Sequence, residues 1–347
     1  MSEQRPSDSS IDQPSGALSN ADQAEVTLIT GASGFIGRHL VSALAGQGHG
    51  LTPPRSSRRR QIHVIARQAD LTFEGVDPGS ITLHQTDLMN SDDVSELVGR
   101  LRPSELFHLA WFNGDSKSRY SDPQNFDWVA VAENLVETFA REGGRRAVLT
   151  GSCIEYGARG GVLSENDRPD PDTVYGRCKL DAGQRSLSVC DDYPDLSVAV
   201  ARVFFVLGRH EDPNRLVPHI IRQLLNNQPA ELSSGTQRRD YMHAWDVALG
   251  LVAIADSSLT GFVNLGMGSS VSVKELSEIV GEAVGRPDLL WFGKRPGGAD
   301  AAAEITANIS RLTSATNWRP TLDLEAACAD VVNWWRSSLN PAGGTAR

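Results

Sequence analysis

Tyr175 and Lys179 stand in the pattern YxxxK, at the start of a long stretch that reads as a helix. On a helix this i, i+4 spacing puts both side chains on one face. A tyrosine at its ordinary pKa, near 10, exchanges protons poorly at neutral pH. An ammonium beside it favours the phenolate and lowers that value. Ser152 follows the apolar run Ala147–Thr150 and offers a hydroxyl to hold the same substrate oxygen. A lone YxxxK is common by chance. Ser152, Tyr175 and Lys179 together, downstream of a glycine-rich turn, form a candidate catalytic set suited to moving a proton on and off a carbonyl or hydroxyl oxygen.

That turn is Gly31-Ala-Ser33-Gly34-Phe35-Ile36-Gly37, with the spacing GxxGxxG. The first glycine permits a tight turn, the second lets a pyrophosphate approach the backbone, and the third lets helix and strand pack closely. The context fits, because Val26–Thr30 reads as a buried strand and Ile36, Leu40, Val41 and Leu44 as one face of a helix. A pyrophosphate would then lie on the helix N-terminus, where free N–H groups favour an anion. Ser33, Phe35 and Ile36 share this cofactor loop. The second strand ends at Ala66-Arg67-Gln68, without the acid that would hold a ribose 2′-hydroxyl. Arg67 instead suits a 2′-phosphate, with Arg38 as a second guanidinium. The alternative is that Arg67 is an exposed loop residue. The balance favours NADP(H), with NAD(H) possible. Asp87 and Leu88, after the third strand, are placed to border an adenine by analogy with such folds.

The elements that position these residues alternate. Strands are expected at 26–30, 62–66, 81–85, 106–111, 147–150 and 196–205. A helix follows the glycine turn, another opens with an N-cap and first-turn acids at Ser91-Asp92-Asp93, and others cover 129–141 and the stretch from Tyr175. This order predicts an α/β fold, a doubly wound parallel sheet of the Rossmann type, over residues 26–208. Residues 209–339 are read mainly as a smaller C-terminal substrate-binding lobe, with a helix near 215–225, a strand at 261–265 and a capping box at Ser272–Glu275. Residues 1–25 and 340–347 read as loose tails, and 52–60 as a polar, basic loop. On a strand-like path Glu155 would point to the face opposite the site.

The chain has 347 residues, 40% hydrophobic and 22% charged, with a formal net charge of −10. An acidic chain repels nucleic acid and anionic membranes, so neither is an expected partner. No run of about 18 apolar residues is present, and the N-terminus lacks a signal-peptide core. The four cysteines, Cys153, Cys178, Cys190 and Cys328, show no metal-ligand spacing. A reduced, cytoplasmic protein without a metal site is the natural reading.

Further segments extend the pattern in order: TDL at 86–88, HLAW at 108–111, TGSCIEYG at 150–157, RLVP at 215–218, RRDYMHAWDVA at 238–248, NLG at 264–266 and RPGG at 295–298. With ITGASGFIG and VYGRCK, the chain closely resembles the extended short-chain dehydrogenase/reductases, the epimerase/dehydratase family of nucleotide-sugar enzymes. The resemblance implies Ser152, Tyr175 and Lys179 as the catalytic triad, Leu109 and Ala110 beside the cofactor, and a homodimer. It implies a nucleoside-diphosphate sugar as substrate, clamped by Arg239 and Arg295, with Arg215 a further contact. His108 and Trp111 would support the cofactor pocket, and His243 and Asp246 the fold. Three departures matter. Phe205 replaces an amide that often contacts ligand, Gly298 replaces an acid, and Cys153 and Ile154 occupy the places of a dehydratase Asp-Glu pair. The favoured expectation is an NADPH-dependent 4-ketoreductase of a nucleoside-diphosphate 4-keto-6-deoxy sugar, in deoxysugar biosynthesis. The alternatives are a 4-epimerase or 4,6-dehydratase with tightly bound NAD, and a non-catalytic NADP-binding protein.

Overall fold

The computed structural model describes residues 24–47, 51, 58–112, 114, 118–296 and 302–339. Nearly all of both expected tails, most of the basic 52–60 loop and Gly298 lie outside the described residues. In chain order the first half runs β1 (Glu25–Thr30), α1 (Phe35–Leu44), β2 (Arg60–Ala66), β3 (Ile81–Gln85), α2 (Ser91–Leu101), β4 (Glu105–His108), α3 (Asn125–Arg141), β5 (Arg146–Ser152), β6 (Gly161–Leu163), α4 (Val174–Asp192) and β7 (Ser197–Val203). The second half runs β8 (Phe205–Leu207), α5 (Leu216–Leu225), β9 (Ala230–Glu231), β10 (Arg238–Arg239), β11 (Tyr241–His243), α6 (Ala244–Ala255), β12 (Gly261–Leu265), β13 (Val271–Ser272), α7 (Val273–Val284), β14 (Leu290–Trp291), β15 (Glu304–Ala307), α8 (Ser310–Ala315) and α9 (Leu324–Leu339).

Seven parallel strands form one sheet in the order β12-β7-β5-β4-β1-β2-β3. This is the expected doubly wound sheet. Its strand order reverses between β1 and β4, which opens a crevice at their carboxyl ends. Successive strand residues face opposite sides. Ile29, Phe107 and Val148 pack with α1 and α6, while Leu28, Leu106 and Leu149 pack with α2 and α3. A sheet covered on both faces needs apolar residues at almost every position, which is why these strands read as continuous runs.

The second lobe gathers α5, α7 and α9 around Leu207, Ile220, Leu276 and Val331. A mixed sheet, β13-β10-β15-β6, lies beside it. The expected division at residue 208 is too simple. β12 edges the large sheet beside β7, and α6 packs on α1. All but one residue of α6 is buried, so this helix has no solvent face and must sit between layers.

Local boundaries also move. The strand expected at 196–205 divides at Phe204, whose N–H donates to Leu265 O while Phe205 N–H donates to Asp240 O. β4 stops at His108 rather than Trp111. β2 begins inside the basic loop, because Arg60 donates to Glu105 at 2.7 Å and to Asp256 at 2.5 Å, which satisfies its buried charge. Asn90, not Ser91, caps α2 and accepts from Asp93 N–H. The Ser272–Glu275 capping box is present in both directions. Among the described residues no helix is long and apolar enough to cross a membrane, and no cluster of three His, Cys, Asp or Glu could hold a metal.

Two buried histidines couple this packing to pH. His39 of α1 donates from Nε2 to Arg209 O and lies among His243, His210 and Asp330. His108 bonds Thr30 Oγ1 at 2.7 Å. Burial pulls each down to about 3. Their neutral forms therefore stabilise the fold fully above pH 6.5, and that contribution is lost as pH falls towards 3. Each histidine should add a slope of about 1.4 kcal/mol per pH unit in that window. We expect His39→Gln to flatten the pH dependence of the urea-unfolding free energy by about that amount. An unchanged slope would show that His39 does not titrate with unfolding.

Candidate active site

The glycine turn is built against the end of β4. Gly31 has φ +73°, and a Cβ there would overlap the backbone of Leu109 and Ala110. A Cβ on Gly37 would overlap the Gly31 carbonyl. Both positions thus exclude any side chain. Gly34 is exposed and ends the turn as the N-cap of α1, with no side-chain cap and no acid in the first helical turn. The first amides of α1 are left for an anion. Ser33 is exposed beside them, and Phe35 and Ile36 are half-buried. Leu109 and Ala110 follow β4 directly across the crevice. A dinucleotide pyrophosphate fits this cradle, which would be held by residues 31–37.

The structure gathers Ser152, Tyr175 and Lys179 near that crevice. Thr173 caps α4 and accepts from Gly176 N–H at 3.0 Å, which fixes Tyr175 in the first turn. Burial pushes the Tyr175 phenol up to about 12, and Arg119 and a hydrogen bond with Ser152 pull it back. The spacing predicts Lys179 as the group that acts on Tyr175. Lys179 instead donates to Thr150 O at 2.8 Å and lies 4.0 Å from the Trp111 ring centroid. Burial holds its ammonium down to about 7, against the pull of Glu155. Trp111 donates to Asn125 Oδ1 at 2.8 Å and meets Tyr175 edge-on. His108 Nε2 is buried without a hydrogen-bond partner among the described residues, beside a small cavity that Trp111, Thr150 and Lys179 also line.

Arg119 and Tyr120 are the residues that sequence reasoning misses. They lie between β4 and α3, in a stretch with no periodicity and no motif. Both pack on Tyr175: Tyr120 edge-on at 5.5 Å between ring centroids, Arg119 with its guanidinium carbon 5.5 Å from the ring centroid.

Glu155 corrects the expected path. β5 ends at Ser152, and Cys153–Tyr156 form one turn of 3-10 helix. The turn folds Glu155 back, where Oε1 accepts from Ser152 N–H and Oε2 from Arg202 Nε, both at 2.7 Å. Glu155 is 0% and Arg202 2% exposed, so this is a closed ion pair. Burial opposes the Arg202 charge, but Glu155 and Tyr156 more than offset it and hold the guanidinium above its usual range. Tyr156 O–H lies 2.8 Å from Asn264 Oδ1, which makes the NLG asparagine part of the same buried network. Burial, with Asp240 and Glu155, pushes the Cys153 thiol up to about 12.

The arginines proposed for a diphosphate differ in their ties. Arg239 is buried, donates from Nη1 to Arg238 O and Ala302 O, and faces the Phe205 ring at 5.5 Å. Arg215 precedes α5 and pairs with Glu211 at 3.3 Å. Burial pushes the Tyr241 phenol up to about 12, and both arginines pull it down. Arg295 is exposed and acts on His219, one turn along α5 from Arg215. His243 caps α6 and Asp246 accepts from Thr321 and Leu322, so both hold the fold.

At the adenosine side, Arg67 is exposed at the end of β2, and its guanidinium has no partner among the described residues. Arg38 is committed elsewhere: it donates to Ser33 O and Thr72 O, each at 3.1 Å. Those bonds brace the glycine turn and compete with a 2′-phosphate. Asp87 is exposed and accepts from Met89 N–H, and Leu88 is half-buried.

A model of the NAD dependent epimerase/dehydratase family matches residues 27–266. The chain is 26% identical to UDP-glucose 4-epimerase 4 of Oryza sativa subsp. japonica, over 94% of both chains. It is 30% identical to MoeE5, solved in complex with UDP-glucose and NAD, with a TM-score of 0.74 over 90% of this chain and 99% of that one. UDP-N-acetylglucosamine 4-epimerase from Methanobrevibacter ruminantium M1, in complex with UDP-N-acetylmuramic acid, shares the fold at 22% identity, TM-score 0.78, over 91% of this chain and 99% of that one.

The Glu155–Arg202 pair separates a structural carboxylate from a catalytic one. Removing one partner of a buried pair strands the other, at a cost of about 3–5 kcal/mol. We expect Glu155→Gln to lose stability of that order in urea unfolding, and Glu155→Leu with Arg202→Met to recover most of it. Near-normal stability with collapsed turnover in Glu155→Gln would instead mark Glu155 as an acid or base.

Proposed function

From the premise that the chain belongs to the NAD dependent epimerase/dehydratase family, as an NAD-dependent enzyme of the extended short-chain dehydrogenase/reductase type, we propose that it is a 4-epimerase of a nucleoside-diphosphate sugar. The observation that carries this reading is full-length similarity to UDP-sugar 4-epimerases, together with the 30% match to a protein solved with UDP-glucose and NAD. Bound NAD would accept the hydride of sugar C4 and return it to the opposite face.

The chain's own residues then have these tasks. Tyr175 takes the proton of the C4 hydroxyl and later gives it back, and Ser152 holds the same oxygen. Lys179, fixed by Thr150 O, presents an ammonium beside the crevice. Arg239 and Arg215, with Arg295 acting near His219 of α5, would answer the diphosphate charge in an otherwise acidic chain. The second lobe would close over the nucleotide. α3 and α4 pack together and leave Phe126 exposed, which suits the expected homodimer.

Two observations weigh against the other readings. A dehydratase needs a free acid and base beside Ser152. Here Cys153 keeps its proton, Ile154 has none to give and Glu155 is locked to Arg202. The NADPH-dependent reductase reading leans on Arg67, which is exposed, with Arg38 only as a second guanidinium, and Arg38 is already bonded to two carbonyls.

Purified protein should release NAD close to one per chain on denaturation, and should interconvert a C4-epimeric pair of UDP-sugars with no added cofactor. Tyr175→Phe should lower that rate by roughly 10²–10⁴-fold while keeping its NAD. Protein that emerges empty and oxidises NADPH against a 4-keto sugar would be the reductase instead.

A further inference from the structure

Arg119 brings a positive charge to Tyr175. It forms no ion pair among the described residues, and its Nε is buried without a hydrogen-bond partner there. The segment is held in place, because Tyr175 N–H donates to Tyr120 O at 3.1 Å. The guanidinium carbon lies 5.4 Å from the Tyr120 ring centroid and 5.5 Å from that of Tyr175. It therefore sits in the angle between two rings that meet edge-on.

Arg119 is half-buried with its Nε shielded from water, and a guanidinium so placed gains from an anion or a π face beside it. Of the groups that face Tyr175, Tyr120 and Ser152 are neutral. Glu155 is already paired with Arg202, and Lys179 is turned to Thr150 O and Trp111. The phenol itself is the group that turns negative when it gives up its proton. A guanidinium over a ring gains most when that ring carries charge.

We propose that Arg119 is the counter-charge of the Tyr175 phenolate, a positioning residue that acts through Tyr175. This rests on the reading of Tyr175 as the proton carrier of the epimerase. In the forward step the sugar O4–H bond breaks and its proton bonds to the Tyr175 oxygen. The C4–H electron pair would leave as hydride to the NAD that the glycine turn would hold, and C4–O4 would become a carbonyl. The return step reverses each bond on the other face. Without a cation beside it, a phenol inside this packing would hold its proton too tightly to begin. The electrostatics agree: burial dominates the upward push on Tyr175, and Arg119 is foremost among the groups that pull it down.

The test is a pH titration of the holoprotein labelled with ring-¹³C tyrosine, with the Tyr175 signal assigned by its absence in Tyr175→Phe. An opposite charge at this range moves a pKa by about one pH unit or more. Arg119→Gln should therefore raise the Tyr175 midpoint by about one pH unit. Turnover near neutral pH should fall about tenfold and recover about tenfold per unit of higher pH. Arg119→Lys, which keeps the charge, should stay within about half a unit of wild type, and it carries the test alone if the Gln variant does not fold. An unmoved midpoint in Gln, or a Lys variant displaced by a full unit, would overturn the proposal. So would a raised KM with an unmoved pH profile, since Arg119 would then bind the sugar. The titration needs no sugar. A shifted midpoint in a protein that epimerises nothing would uphold Arg119 and remove the epimerase reading.

Discussion

The site depends on how closely the turn after β1 approaches the end of β4. Gly31 presses on the backbone of Leu109 and Ala110, and Gly37 presses on the Gly31 carbonyl. Neither contact tolerates a Cβ. Together they bring the uncapped N-terminus of α1 to the point where the sheet changes direction. A cofactor held on that terminus would lie toward the end of β5, which carries Ser152, and the first turn of α4, which carries Tyr175.

Charge is distributed in the same economical way. The chain is acidic overall, yet the cations Lys179, Arg119 and Arg239 form no ion pair among the described residues. Glu155, a buried acid close to the triad, is bonded to Arg202 and to the Ser152 amide. Those bonds tie the end of β5, and with it Ser152, to a buried carboxylate. The arrangement suits a substrate that brings its own negative charge and a reaction that moves one proton at one oxygen.

Much of this was legible in the residues. The glycine spacing, the YxxxK pair and the Ser272–Glu275 box are local devices, in which a few neighbouring side chains fix the backbone whatever lies around them. The alternation of runs gave the parallel sheet for the same reason. The misses need distance. Glu155 reads as an outward strand residue until the strand stops at Ser152 and one tight turn reverses it. β12 reads as part of the second lobe, because only its pairing with β7 returns it to the large sheet. Arg119 lies in an irregular link where no period marks a residue's neighbours, and its meaning comes from Tyr175, far along the chain. Arg38 looks like a phosphate ligand in sequence, but the carbonyls that occupy it belong to residues 33 and 72.

The central claim is that a hydride leaves sugar C4 and returns to the same carbon, through a cofactor that stays bound. A UDP-sugar carrying deuterium at C4 tests this directly when the product is read by mass spectrometry and NMR, in the presence of excess unlabelled NADH and NADPH. The account predicts full retention of deuterium at C4 in both epimers, with none lost to water or to the added cofactors. Wash-out of the label into the free cofactor pool would contradict it and would mean that the hydride comes and goes with a dissociating nucleotide.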